Sequence, residues 1–165
     1  ENLPAGRIEG YDGTWHFAVT ATDSADTDIT WTEVMELDIN SRISLSNNDA
    51  GDNNTLFGKD AGKSMHADAD GNTFIGHLVA DATMTATADS NTGVGFTALG
   101  ALTEGNSNNA IGAYSQVLNL TGNNNVSIGN ASLENNTSAH NNTGLGHSAG
   151  KFSAGADNTD RKSVV

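Results

Sequence analysis

The chain has no cysteine, so neither a disulfide framework nor a thiolate metal site can form. Cations are almost as scarce: seven Lys and Arg stand against 20 Asp and Glu, for a formal net charge of −13. Binding to a phosphate backbone depends on clustered Lys and Arg that release counterions, so nucleic acid is a poor partner. An acidic surface suits cations and a salty extracellular medium instead. No apolar run approaches the roughly 20 residues that span a bilayer as a helix. The start, Glu1-Asn2-Leu3-Pro4, lacks the basic-then-apolar pattern of a secretory signal, and no membrane insertion is expected. Apolar residues make up 36% of the chain, below the roughly 45–50% of globular domains, and aromatics only 5%. Helix is unsupported, because no ten-residue window combines a 3.6 period with helix-forming composition.

What is abundant is Gly, Asn, Thr, Ser and Asp, and these residues are in register. From residue 54 a five-residue motif returns six times: Asn, usually Thr, a variable residue, an aliphatic or Phe, then Gly. The copies are Asn54–Phe57–Gly58, Asn72–Ile75–Gly76, Asn91–Val94–Gly95, Asn108–Ile111–Gly112, Asn125–Ile128–Gly129 and Asn142–Leu145–Gly146, with successive glycines 18, 19, 17, 17 and 17 residues apart. Ordered polar repeats of this length point to a solenoid rather than to disorder. Period-2 alternation places Phe57, Ile75, Val94, Ile111, Ile128 and Leu145 in one stacked row, expected to be a buried apolar ladder. Each Gly supplies a φ > 0 corner or a close backbone approach. Each Asn suits a turn, and stacked turn asparagines can bond along the rod. Three residues after each Gly comes Ala61, Val79, Ala98, Ser115, Ser132 or Ala149, expected at a tight inner position on a second short strand.

A 17-residue coil has only about four apolar side chains to bury, too few to offset the ordering of a Gly-rich chain alone. Coils must therefore stack, and lateral association between chains is expected. Leu99, Leu102, Val117, Leu118, Leu120 and Leu133 lie in the connecting halves and are the expected contacts to neighbouring chains. The preceding region, 1–50, alternates differently: Trp15, Phe17, Val19 and Ala21 share one face, with His16, Ala18 and Thr20 on the other. A second alternation runs Ile29, Trp31, Met35, Leu37, Ile39, with turns at Asp12-Gly13, Asp23–Asp28 and Asn40-Ser41 before Arg42–Ser46. This reads as a small antiparallel β-meander of three or four strands, joined to solenoid repeats over 51–165. Arg161–Val165 looks like the beginning of a further coil whose Gly is missing.

The repeat resembles the head repeats of trimeric autotransporter adhesins and the similar solenoid repeats of bacteriophage tail-fibre proteins. The resemblance rests on Asn108–Gly112, Asn125–Ser132 and Asn142–Ala149. Ala5-Gly6-Arg7-Ile8, Asp12-Gly13 and Thr32–Asp38 look like the segment ahead of such repeats in phage fibres, which favours that branch. It implies a homotrimeric, left-handed parallel β-roll, a virion tail-fibre location, and attachment to a host cell-surface glycan or protein receptor. A bacterial surface adhesin head is the alternative. The coils here are longer than those common in adhesin heads.

Candidate chemistry is thin. Asp68 and Asp70, in His66–Asn72, put oxygen ligands two residues apart as in half a calcium loop, but the further oxygens and closing Glu of such a loop do not follow, so a solvated turn is the plainer reading. The insertions at His66–Asn72 and Asp81–Ser90 lengthen two coils and are the first candidates for ligand contact. His77 and His147 follow repeat glycines where other coils have Lys59, Phe96, Ala113 and Asn130, which marks a surface position. Three copies of His140 around a trimer axis could hold an ion. Thr55, Thr73, Thr92 and Thr143 form a row broken at Asn109 and Val126; inward or inter-coil hydrogen bonding is the simpler account, ordered water on a flat face the sharper one. No nucleophile elbow, Walker loop or metalloprotease motif is present, and no cofactor is implied. A pair of carboxylates for glycoside cleavage, as in a tailspike depolymerase fragment, is selected by no spacing. The expectation is a non-catalytic, all-β fibre segment.

Overall fold

The structure, a computed structural model, describes residues 6–11, 14–19, 32–37, 43–45, 53–152 and 155–161. The chain divides into two compact units, Glu1–Asn48 and Asp49–Val165. In the first, strands β1 (Gly6–Tyr11), β2 (Thr14–Val19), β3 (Thr32–Leu37) and β4 (Ile43–Leu45) pair antiparallel in chain order. An irregularity between Phe17 and Ala18 interrupts the β2–β3 register, and Ala18 is buried while Ile8 is exposed. Ala21, Ile29, Trp31, Ile39 and the turn at 23–28 lie outside the described residues.

The second unit is a parallel β-solenoid of about six turns. Its strands are β5 (Thr55–Phe57), β6 (Thr73–Ile75), β7 (Thr92–Val94), β8 (Asn109–Ile111), β9 (Val126–Ile128), β10 (Thr143–Leu145) and β11 (Thr159–Arg161), hydrogen-bonded in order into one sheet. The register is that of the sequence motif: Phe57 lies beside Ile75, Ile75 beside Val94, Val94 beside Ile111, and so to Leu145. The seventh strand starts ahead of Arg161, where the sequence suggested a further coil begins: Thr159 pairs with Thr143, and Arg161 is already beside Leu145. Among the described residues there is no helix, and none long and apolar enough to cross a membrane.

Each coil turns its corners with left-handed residues at fixed places. The residue before each motif Asn has positive φ, as do the second and fourth residues after each repeat Gly; Tyr114 (58°), Gln116 (49°) and Asn124 (57°) show this within one coil. The two left-handed residues after each repeat Gly, two places apart, send their amides in opposite directions along the stack. The Tyr114 amide donates to Phe96 O of the preceding coil (2.9 Å), whereas the Gln116 amide donates to Ser132 O of the next (2.9 Å). No second strand forms here. The small residues between them, Val79, Ala98, Ser115, Ser132 and Ala149, are nevertheless fully buried, as expected of that row. At Gly112, φ is 131° and an added Cβ would lie 2.6 Å from the Gly129 backbone, so this corner admits no side chain.

The motif asparagines form a continuous buried ladder. Asn91 Oδ1 accepts the Asn108 amide (3.0 Å) and Asn108 Nδ2 (3.1 Å); Asn108 Oδ1 accepts the same two groups of Asn125, each at 3.1 Å. The second proton of Asn108 Nδ2 reaches Gly122 O (2.8 Å) across the coil, tying the returning segment to the strand. The left-handed turn residue is the one before the Asn, not the Asn itself.

The strand's central residue, not its aliphatic neighbour, points inward, and interior sizes compensate. Phe74 fills the interior of its coil, while in the next coil Gly93, where a Cβ would lie 2.6 Å from Val79 Cγ1, leaves room for Val79. Leu99, Leu102 and Leu133, expected to face other chains, are 0–1% exposed. Toward β9 the interior turns polar. Gln116 Nε2 donates to Asn109 O (3.0 Å) and Ser127 Oγ (2.9 Å), its Oε1 accepts from Asn119 Nδ2 (3.1 Å), and the hydroxyls of Ser115 and Ser127 are hydrogen-bonded.

Replacing Asn108 by Ala strands several buried partners, each worth about 1–3 kcal/mol when unsatisfied. Urea unfolding is expected to show a loss of at least about 2 kcal/mol. Exposed Asn109→Ala serves as the control, and an equal loss there contradicts the ladder's role. Gly112→Ala is expected to destabilise by about 1–3 kcal/mol from strain alone, with the steric clash added.

Candidate interaction surface

The six aliphatic positions form an aligned row, as the motif predicts, but the row points out of the chain. Phe57, Ile75, Ile111, Ile128 and Leu145 are between 38% and 64% exposed, and Val94 is half-buried. This corrects the expectation of a buried ladder. A strand alternates faces, and once the central residue fills the narrow interior, the residues on either side of it must face outward. The same rule puts Thr55, Thr73, Thr92, Asn109, Val126 and Thr143 on that outer face, so the threonine row is not inward-facing. The outer surface of β5 to β10 is therefore a flat sheet with one largely threonine row and one aliphatic row, in register along six coils.

Further exposed apolar groups lie elsewhere on the coils. His77, Phe96 and Tyr114 stack on successive coils, with ring centroids 5.6 Å and 5.3 Å apart, the second pair edge to face. Leu118 and Leu120 are exposed, as their assignment to outward contacts requires, and Val117 is half-buried. The aromatic row was not legible in the sequence, since Tyr114 stands two residues after its repeat Gly whereas His77 and Phe96 stand one after theirs.

The two lengthened coils do not simply protrude. Ala69, Met84 and Ala88 in the insertions are buried, and the Met84 amide donates to Ser64 O (3.0 Å). Asp68 is exposed with a carboxylate oxygen 3.6 Å from His66 Nδ1, and the Asp70 amide donates to Asp89 Oδ1 (2.8 Å). Among the described residues no group of three or more His, Cys, Asp or Glu is placed to hold a metal. His77 and His147 are exposed, as their variable position suggests. His140 is exposed too, and its Nδ1 accepts the Asn123 amide (2.9 Å), one of a row of side chains that cap the preceding coil. Lys151 and Glu134, on adjacent coils, form a partly exposed ion pair at 2.7 Å, of the class worth about 0–1 kcal/mol.

The two faces are separable by experiment. Ile128→Lys, on the outer row, is expected to leave the β circular dichroism of the chain intact, whereas Leu133→Lys, five residues on but inward, is expected to abolish it because a buried unpaired charge has no partner there. Equal effects contradict the assignment of faces. In comparisons with known proteins, no protein-family model, curated protein or solved structure matches this chain.

Proposed function

We propose that the solenoid is the trimer-forming part of a structural and host-attachment fibre segment, non-catalytic, of the kind carried by phage tails. The observation that carries this reading is the outward aliphatic row: six apolar side chains in register on one sheet, five of them exposed and Val94 half-buried in the single chain. Isolated exposed apolar residues are ordinary, but a contiguous stripe marks a surface that another surface covers. Copies of the same chain carry the same stripe at the same spacing, so parallel chains align row against row over the full length. The number three comes from the resemblance of the repeat to trimeric fibre and adhesin heads. Association also answers the thin interior, where glycine and serine occupy many inward places and each chain buries little apolar area for its length. A trimer built this way buries the aliphatic rows and leaves the coil corners outside, where a glycan or protein receptor on a host surface is met.

Light scattering tests the assembly: a mass of about 51 kDa, three times the 17.0 kDa chain, is expected, and a monomer at working concentration sinks the proposal. Ile111→Asp is expected to give the single-chain mass with β structure retained. Attachment is tested by competition, in which an excess of the purified segment lowers adsorption of the particle that carries this chain to its host. Unchanged adsorption removes the attachment role and leaves a shaft.

A further inference from the structure

Along the stack, every coil from the first to the fifth prepares a seat for the next in three ways. Its central strand residue is neutral, and packs or hydrogen-bonds inside, as with Phe74 and Ser127. Its outward residue is aliphatic or Phe. Its glycine leaves the space into which the next coil's backbone fits: a Cβ at Gly76 or at Gly129 would lie 2.5 Å from the following glycine's carbonyl oxygen.

Strand β11 keeps the register and breaks all three rules. It pairs with β10 through Thr143–Thr159, Gly144–Asp160 and Leu145–Arg161, so a carboxylate stands at the inward place and a guanidinium in the aliphatic row. In the sequence, Lys162 stands where the repeat Gly belongs. The carboxylate also has a partner that the repeat supplies differently. In earlier coils the fourth residue after the glycine donates its amide to a backbone carbonyl of the next coil, as Leu133 does to Ala149 O (2.9 Å). Gly150, at the same place in the sixth coil, donates to Asp160 Oδ2 at 2.7 Å.

We propose that β11, through Asp160, is a terminal cap that closes this end face of the solenoid to any further coil, whether of the same chain or of a second copy docking end to end. A coil laid over it would bury a carboxylate in the narrow interior, where an uncompensated charge is costly. It would meet a cation in line with the aliphatic row, and the sequence has Lys162 rather than Gly at the place where earlier coils leave no room for a Cβ. Inward-pointing charge is a known way of protecting an exposed sheet edge, and solenoids need polar terminal repeats to stay apart. The opposite edge, β5, obeys all three repeat rules, with Leu56 half-buried against the core, Phe57 outward and Gly58 at the corner. The stack is therefore polar, with one end of ordinary repeat character and one end sealed.

The test prolongs the whole chain beyond Val165 by a copy of its own residues 133–161, which completes the seventh coil, supplies an eighth and begins a ninth. One version keeps the native junction; the other carries Asp160→Ser, Arg161→Ile and Lys162→Gly, the residues found at 127–129. Hydrogen exchange resolved by residue is read on the added segment. With the native junction the added amides are expected to exchange at the rate of unstructured chain, and with the repaired junction at least about tenfold more slowly. Equal exchange in the two versions, fast or slow, overturns the proposal. In the unextended chain, Asp160→Ala is expected to speed exchange at Gly150 and leave Leu133 unchanged, and an unmoved Gly150 amide overturns the capping contact. These readouts follow amides within one chain, so their outcome does not depend on how many chains assemble.

Discussion

The structure depends on hydrogen bonds made from one coil to the next. Within a coil of 17 residues only three are in a regular strand, yet many amides of the connecting segments find carbonyls in the coil above or below. Backbone groups removed from water must be paired, and short turns within a coil, such as the Ser115 amide on Gly112 O, serve only part of each circuit. The left-handed residues that flank Ser115 and its equivalents serve both neighbours: the one before donates its amide to the preceding coil and the one after to the next. Non-glycine residues such as Leu99 and Tyr114 hold φ near 55–58°, a conformation that costs them energy and that the inter-coil bonds sustain.

The asparagine ladder solves the same problem at the place where the circuit closes. Through the middle of the ladder, at Asn72, Asn91, Asn108 and Asn125, the buried Oδ1 takes two protons from the next Asn and the Nδ2 reaches a carbonyl of the returning segment. A side chain with one acceptor oxygen and two amide protons fits this arrangement; aspartate lacks the protons and serine lacks the reach. The interior that remains is narrow, filled by Phe74, Val79 and Leu99 at one end and by Gln116, Ser127 and Asn119 further on. A polar network saturated in this way distinguishes one coil from the next, so that repeats of similar sequence do not slip in register.

With so small an interior, the outer sheet face becomes the larger apolar resource of the chain. An acidic chain with a net charge of −13 repels its copies at a distance, so the proposed association calls for a surface that carries little charge. The largely threonine row and the aliphatic row of β5 to β10 provide one, free of charged residues until Arg161. The composition of the repeat and its proposed assembly thus have one cause: residues too few to fill a core are placed to fill an interface.

The sequence by itself determined the period, the strands and their register, because spacing is kept through a stack that adds one coil at a time: Asn54 to Gly58 and its five successors fall on successive strands in phase. It also determined the tight inner row of Val79, Ala98 and Ser115. What it could not decide is which side of each strand faces in. Alternation says that Asn109 and Ile111 share a face opposite Ala110, and hydrophobicity alone assigns Ile111 to the core. The closure of the coil decides otherwise. The corners set by Gly112, Tyr114 and Gln116 leave an interior too narrow for both Ile111 and the side chains of Leu99 and Leu133, so the small central residue turns in and the large aliphatic one turns out. That choice depends on how the whole circuit closes, which no local pattern of residues encodes.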